Sequence, residues 1–296
     1  MNHVAHWDGV EPYRRETGHL AADWYDLGRA AGCVFVGLKR IRIDPGKWST
    51  AAHAEGAEEE IFFVLRGSGI SWQDGEVFEV GQGDVLAHLP EKHAHTLRAG
   101  PEGLDVLAYG QRKKQGNTVL PRAGVAWMHP SWVDVGGAHP WEREAAIGEP
   151  DVGQVSPRPG RIANIDQGIR WELGTGAIDL NVGDVIGSVE TGLSHMTISP
   201  GREGYPPHCH AAEEELFVVL EGSGQVALGD ESAEVRRGSV VSRPAGTRVA
   251  HSFLAGEDGL VYLAYGTREP NDVVYYPRTD EIRFRGVGVT LPAGSR

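Results

Sequence analysis

The chain repeats itself, and that constrains its fold more than anything else in it. Residues 38–69, LKRIRIDPGKWSTAAHAEGAEEEIFFVLRGSG, lie without a gap over residues 193–224, LSHMTISPGREGYPPHCHAAEEELFVVLEGSG. A second block, HTLRAGPEGLDVLAYG at 95–110, lies over HSFLAGEDGLVYLAYG at 251–266. Pro45-Gly46 matches Pro200-Gly201, His53 matches His208, and Gly67-Ser68-Gly69 matches Gly222-Ser223-Gly224. Two ordered blocks with matched turns and matched histidines mean a gene duplication in which both copies fold alike. At 296 residues the chain has room for two domains, each with a core of its own. Between the copies, residues 136–160 are rich in Gly, Pro and charge and carry no apolar period, which predicts a linker. The boundary is placed near residue 150, giving an N-terminal domain over 1–150 and a C-terminal domain over 151–296.

Inside each copy, short apolar runs alternate with turn signals about every 8–12 residues, the pattern of an all-β sandwich or barrel. The runs are 34–43, 59–67, 69–80, 84–89 and 105–110 in the first copy. In the second they are 215–222, 225–230, 233–238, 239–244 and 261–266. The 41 glycines and 17 prolines suit the tight turns that such strands need. Helical stripes are few, and only 16–30 could carry a short helix.

The second copy contains His208, His210, Glu215 and, beyond a Pro-Ala-Gly turn, His251. Three imidazoles and one carboxylate form a donor set suited to a divalent transition metal. On a strand His208 and His210 share a face while Cys209 points away. Glu215, Phe217 and Val219 then share one face of the following strand, and Leu216, Val218 and Leu220 the other. A carboxylate at the head of a strand apolar on both faces needs a partner, because an unpaired buried charge costs several kcal/mol or more. A metal held with the histidines would be that partner.

With these residues in place, the chain resembles the cupin superfamily, and in its doubled form a bicupin. The first cupin motif is matched by Gly201, His208, His210, Glu215 and Gly222. The second is matched by Gly238, Pro244-Ala245-Gly246 and His251. The segment TREPNDVVYYP, 267–277, is similar to a group of bacterial small cupins. The resemblance covers roughly 33–110 and 188–266. It implies two tandem double-stranded β-helix (cupin jelly-roll) barrels with one metal inside each working barrel. Carried over residue by residue, it implies His208, His210, Glu215 and His251 as ligands of site two. In site one His53, Glu60 and His95 stand at ligand positions, Glu55 stands where the second histidine belongs, and Pro90-Glu91-Lys92 replaces Pro-x-Gly. Site one is either a two-His, two-Glu site of altered metal preference or a degenerate copy kept for stability or dimerisation.

Four protein ligands would fill a tetrahedral zinc, whereas iron, manganese or nickel would keep positions open for a substrate. The resemblance therefore implies a metal-dependent enzyme on a small organic substrate, with a dioxygenase favoured. An isomerase or decarboxylase without redox chemistry is the alternative, as is a binding protein in which the metal only orients a ligand. No catalytic acid or base stands out in the sequence.

The remaining features have plainer readings. The acidic runs 58–60 and 213–215 are expected to be solvated except for their last members, Glu60 and Glu215. The Gly-Ser-Gly segments read as turns and not phosphate cradles, since no helix follows. His88 and His93 read as surface or rim residues, and Tyr109 and Tyr265 as structural. Trp48 and Tyr205 precede the first histidine of each copy and are candidates for a pocket mouth that receives a planar substrate, core or rim packing being the commoner role. Cys33 and Cys209 are too few for a disulfide framework and point to a reducing cytoplasm. A net charge of −13 argues against nucleic-acid and anionic-membrane partners. No leader peptide and no run of membrane-spanning length is visible. Exposed sheet edges make a homo-oligomer an open expectation.

Overall fold

In the computed structural model the described residues are 3–114, 116–128, 131–133 and 137–294, so position 136 of the expected linker lies outside them. Each repeat folds into an eight-stranded antiparallel sheet that wraps into a barrel, with a four-stranded antiparallel sheet beside it. The protein is all-β, built as two tandem jelly-roll barrels. The expected runs are strands, and several are longer than their apolar stretches. The run at 59–67 and the first part of the one after it belong to a single strand, Glu60–Gln73, the remainder forming Glu76–Gly81, and the counterpart of the long strand in the second copy is Glu215–Leu228. His95–Gln111 and His251–Thr267 pair along their lengths.

Alternation along these strands decides where the cores sit. Phe62 and Val64 face into the first barrel with Phe78 and Leu97. Phe217 and Val219 face into the second with Val226 and Phe253. The opposite faces, Ile61 and Phe63 in one copy and Leu216 and Val218 in the other, meet in one cluster between the barrels. Strands apolar on both faces are thus buried twice, inside a barrel and against the neighbouring domain. Tyr109 and Tyr265 lie in this seam, their ring centroids 4.8 Å apart.

The copies also exchange strands. Val4–His6, at the start of the first repeat, pairs with Ser239–Arg243 of the second. Ile162–Asn164, at the start of the second, pairs with Asp84–His88 of the first. Each domain therefore covers one sheet edge of the other, which removes two exposed edges.

Two expectations are met in part, and a third is corrected. The segment 16–30 is mostly strand, Tyr13–Thr17 and Leu20–Asp26, and its helix is only Leu27–Ala30. Its apolar residues are taken up by pairing with Val36–Ile43, a non-local contact that helical spacing cannot reveal. The linker is not structureless, since Pro140–Ile147 is helical, with Pro140 in the first turn and the His139 ring accepting from the Trp141 amide at 3.2 Å. Its Glu144 is fully buried and takes a hydrogen bond from Arg122 Nε at 2.6 Å. Finally, the Gly-Ser-Gly segments are not turns. They are bulges inside continuous strands, with register shifts at Gly67/Gly69 and Gly222/Gly224. Gly222 has φ +72, and a Cβ there would stand 2.1 Å from the Gly259 carbonyl oxygen.

Candidate metal centre

In the second barrel the strand Glu215–Leu228 delivers Glu215 to the interior, and the short strand Cys209–His210 delivers His210. An isolated bridge between His208 and His251 brings the other two imidazoles together. Around Glu215 Oε2 stand His251 Nε2 at 3.1 Å, His210 Nε2 at 3.4 Å and His208 Nε2 at 4.0 Å. The geometry thus gathers all four residues singled out in the sequence. Glu215 Oε2 and His210 Nε2 are buried without a hydrogen-bond partner. Orphaned donor atoms converging on one point are what a site for a cation looks like. The residues present fit a divalent transition metal.

The surrounding groups fix the imidazoles. His208 Nδ1 donates to the Pro206 carbonyl at 2.8 Å, and His210 Nδ1 donates to Asp272 Oδ2 at 2.6 Å. Both bonds leave the Nε2 lone pair for the centre. Asp272 is fully buried and also accepts from the amides of Ala212 and Glu213. Burial would raise Glu215, but the facing His210 and His251 outweigh it and hold its carboxyl below the usual range. Burial pushes His208 down to about 4, and His251 adds to this. For His210 burial acts downward, but Glu215 and Asp272 together raise it.

These residues line a cavity of about 330 Å³. Phe217 and Tyr262 give it apolar walls, and Asp179, Tyr205, Tyr276 and Arg283 give it polar ones. Of the arginines on the cavity, Arg268 is bound to Asp184 and Arg285 to Glu213. The Arg283 backbone is paired in the sheet with Val274 and Thr290, but its guanidinium has no ion-pair or hydrogen-bond partner among the described residues. The cavity therefore offers one uncommitted guanidinium.

Site one is built the same way with changes. His95 Nε2 lies 3.2 Å from Glu60 Oε2, and His53 Nε2 lies 3.9 Å from both Glu60 and Glu55. His53, Glu60 and His95 offer ligand atoms within 4.8 Å of one another. Glu55 is held by the Thr118 hydroxyl at 2.7 Å. The register pairs Glu55 with Thr118 and His210 with Val274, so Gly116 falls where Asp272 stands in the second copy. Replacement of the histidine by Glu55 thus goes with loss of the carboxylate that would orient it. Burial, with the neighbouring Glu60, raises Glu55 above the usual carboxylate range. The expected alignment of this turn is corrected by one residue: Glu91, not Lys92, stands where Gly246 does, its amide donating to the Glu55 carbonyl as that of Gly246 donates to His210, and it adopts φ 56 against φ +71 at Gly246.

Other residues sit where the sequence did not put them. His88 is not a rim residue: it is 6% exposed and stacks on His95 with centroids 3.6 Å apart. It pairs with Glu60 as Arg243 pairs with Glu215, so the second copy has a guanidinium behind its site where the first has an imidazole that burial keeps neutral. Trp48 and Tyr205 are not equivalents. Trp48 bridges Arg98 as Glu203 bridges Leu254, and Trp48 is fully buried while Tyr205 reaches the cavity. Cys33 and Cys209 are free thiols. Burial pushes Cys33 up to about 12 and raises Cys209 as well, so neither is an activated nucleophile.

The largest departure is in the acidic runs. Glu59 and Glu214, expected in solvent, are both fully buried. Glu214 accepts from the amides of Val34, Phe35 and Val36 in the first repeat. Glu59 accepts from the amides of Val189, Glu190 and Thr191 in the second, and from the hydroxyls of Ser188 and Thr191. The signal available in the sequence was the matched middle glutamate of each run.

Comparison with known proteins agrees with this architecture. The cupin domain family matches residues 39–107 and 194–264. An uncharacterized protein of Methanocaldococcus jannaschii is 28% identical over 94 residues, which is 31% of this chain and 70% of that protein. Among solved structures, oxalate decarboxylase from Bacillus subtilis at pH 4.6 superimposes with TM-score 0.60 at 14% identity, over 88% of this chain and 75% of that one. The oxalate decarboxylase–formate complex of Lactobacillus farciminis gives TM-score 0.62 at 14% identity, over 90% and 86%. A further structure of the Bacillus subtilis enzyme is described by its Mn(II) centres. At these identities the likeness is one of fold.

Proposed function

We propose that this chain, a two-domain cupin, is a metal-dependent enzyme acting on a small carboxylate in its C-terminal barrel. The observation that carries the reading is the convergence of three imidazole Nε2 atoms on an orphaned Glu215 oxygen, at the base of a cavity with one uncommitted arginine. The proposal takes residues 1–150 and 151–296 as the two domains. His208, His210, Glu215 and His251 are the ligands of the working site, and His53, Glu55, Glu60 and His95 form an altered second one. The free thiols fit a reducing compartment, taken here as the cytoplasm. No helix among the described residues is long and apolar enough to cross a membrane.

When bound, a divalent transition metal supplies Lewis acidity toward a substrate oxygen. Arg283 attracts and orients the carboxylate, for which a guanidinium fork is well matched. Asp272 and the Pro206 carbonyl hold the His210 and His208 rings in the tautomer that faces the centre. Phe217, Phe253 and Tyr262 pack around the base of the cavity and limit water.

Likeness in fold to oxalate decarboxylases supports decarboxylation, while the motif resemblance favoured an oxygenase. The test is metal-loaded full-length protein, with oxalate and a panel of short carboxylates, followed by dioxygen uptake and carbon dioxide release in air and under argon. Release without dioxygen uptake supports a decarboxylase, and uptake matched to product supports an oxygenase. Both must vanish in His208→Ala. Tight carboxylate binding with no turnover of any substrate would instead make this a binding protein.

A further inference from the structure

Asp179 faces the cavity from the strand Ala177–Asn181, on the side that also carries the buried Ala177. Its residue is 8% exposed. One carboxylate oxygen, Oδ2, accepts the Tyr205 hydroxyl at 2.8 Å. The other, Oδ1, is buried and has no partner. A buried acceptor left unmade costs free energy, so it calls for a partner, a ligand or an ordered water, to complete it. Tyr205 stands beside the centre, its ring 6.3 Å from that of His208. The phenol is the donor in that bond, so Oδ2 is committed to it and Oδ1 is left open.

The first copy lacks this device. Asp179 pairs with Met196 as Trp24 pairs with Ile41, so a tryptophan takes its place. Trp24 stacks against Tyr13 and receives the Lys39 ammonium at 5.5 Å from its ring. Trp24 Nε1 is itself buried without a partner, so each cavity carries an unpaired polar atom at this position, a donor in the first copy and an acceptor in the second.

We infer that the substrate of the C-terminal site is a short carboxylate carrying a hydrogen-bond donor, a hydroxyl or amino group, which is read by Asp179 Oδ1 while Arg283 reads the carboxylate. This rests on the proposed metal-dependent chemistry at that site and narrows its substrate class. Asp179 is a specificity-determining residue, and Tyr205 is a positioning residue that keeps the carboxylate turned toward the cavity. A site with a buried acceptor rejects an analogue that lacks the donor, because the acceptor is then desolvated with nothing to bond.

The test uses full-length protein loaded with Mn(II), under argon, with lactate, alanine and propionate titrated by calorimetry. These differ at one position only: hydroxyl, amino group or hydrogen. Lactate or alanine should bind about tenfold or more tighter than propionate, and whichever does names the donor. Because a hydroxyl or amine can also gain affinity by chelation, the deciding measurement is the same series with Asp179→Asn and Asp179→Leu. The preference should shrink to within about threefold in both variants, with Mn(II) content unchanged. Asp179→Asn preserves shape, so it carries the test should Asp179→Leu fold poorly. A preference that survives intact in the variants, or no preference in the wild type, overturns the inference while leaving a carboxylate enzyme standing. If none of the three binds, the carboxylate reading falls and this inference falls with it.

Discussion

Glu214 Oε1 accepts the backbone N–H of Val34, 180 residues earlier in the chain, at 2.7 Å. Its equivalent in the other repeat, Glu59, makes the reciprocal contact to Val189 at 2.9 Å. Each domain thus uses the middle glutamate of its acidic run to gather the amides of its neighbour's entry segment. Carboxylates taking several amide N–H bonds in a dry site are strong, charge-assisted acceptors. Together with the exchanged strands, they fasten two barrels into one body.

This arrangement predicts that Glu214→Gln destabilises the protein by about 2–4 kcal/mol, since an amide can accept through only one atom and turns its own N–H groups toward the Val34–Val36 amides. Glu59→Gln should behave alike, and the two effects should add because the contacts are separate. Urea denaturation of both single variants and the double variant measures this. Losses below about 0.5 kcal/mol would show that the clamps do not hold the seam.

Gly222→Ala should cost about 2–4 kcal/mol, because φ +72 and the Gly259 carbonyl at 2.1 Å from the new Cβ oppose it together. Gly201→Ala provides the comparison: it has φ +66 but nothing within 4 Å of a new Cβ, so it should cost about 1–2 kcal/mol. Equal losses at the two sites would refute the close-approach argument. Thermal and chemical denaturation read both.

Asp272→Asn should lower metal affinity at the C-terminal site about 10–100-fold, by weakening the group that orients His210. His208→Ala and Glu215→Ala should empty that site while the fold persists. Elemental analysis and competition with a chelator distinguish the two levels of damage. Unchanged affinity in all three variants would sink the ligand assignment.

In metal-free protein His53 and His208 should each contribute a loss of stability as pH falls from about 6.5 toward 4, opposed by the raised Glu55 and His210. Burial pushes both His53 and His208 down to about 4 in the folded state. Between that value and the ordinary pKa, about 6.5, the unfolded chain binds more protons, so stability falls with pH. The loss should be about 1–3 kcal/mol for each residue over that window. Denaturation midpoints at pH 7, 5.5 and 4.5 would reveal it. His53→Gln and His208→Gln should each flatten part of the slope, and a slope unchanged in both would exclude these two histidines as its source.

Glu55→His should raise metal occupancy of the N-terminal site if that substitution alone depletes it. Elemental analysis against wild type decides. Should occupancy stay the same, the absence of an Asp272 equivalent at Gly116 becomes the governing difference, and Glu55→His with Gly116→Asp is the next variant to measure.

The sequence by itself determined the duplicated barrel, the alternation along its long strands and the histidines and glutamates proposed to meet inside them. Those features are local. Period-two alternation decides which face of Glu215–Leu228 is apolar, and the spacing from Gly201 to His251 survives as geometry because strands are stiff. Tertiary structure alone decided the rest. Glu59 and Glu214 look like solvated members of an acidic run until the neighbouring domain brings amides to them. His88 looks like a rim residue until it stacks on His95. Asp179 looks like one more strand carboxylate until the barrel closes around it with one oxygen unpaired. Each of these depends on contacts far apart in the chain, and burial, which sets whether a charge is harmless or needs a partner, exists only once those contacts have formed.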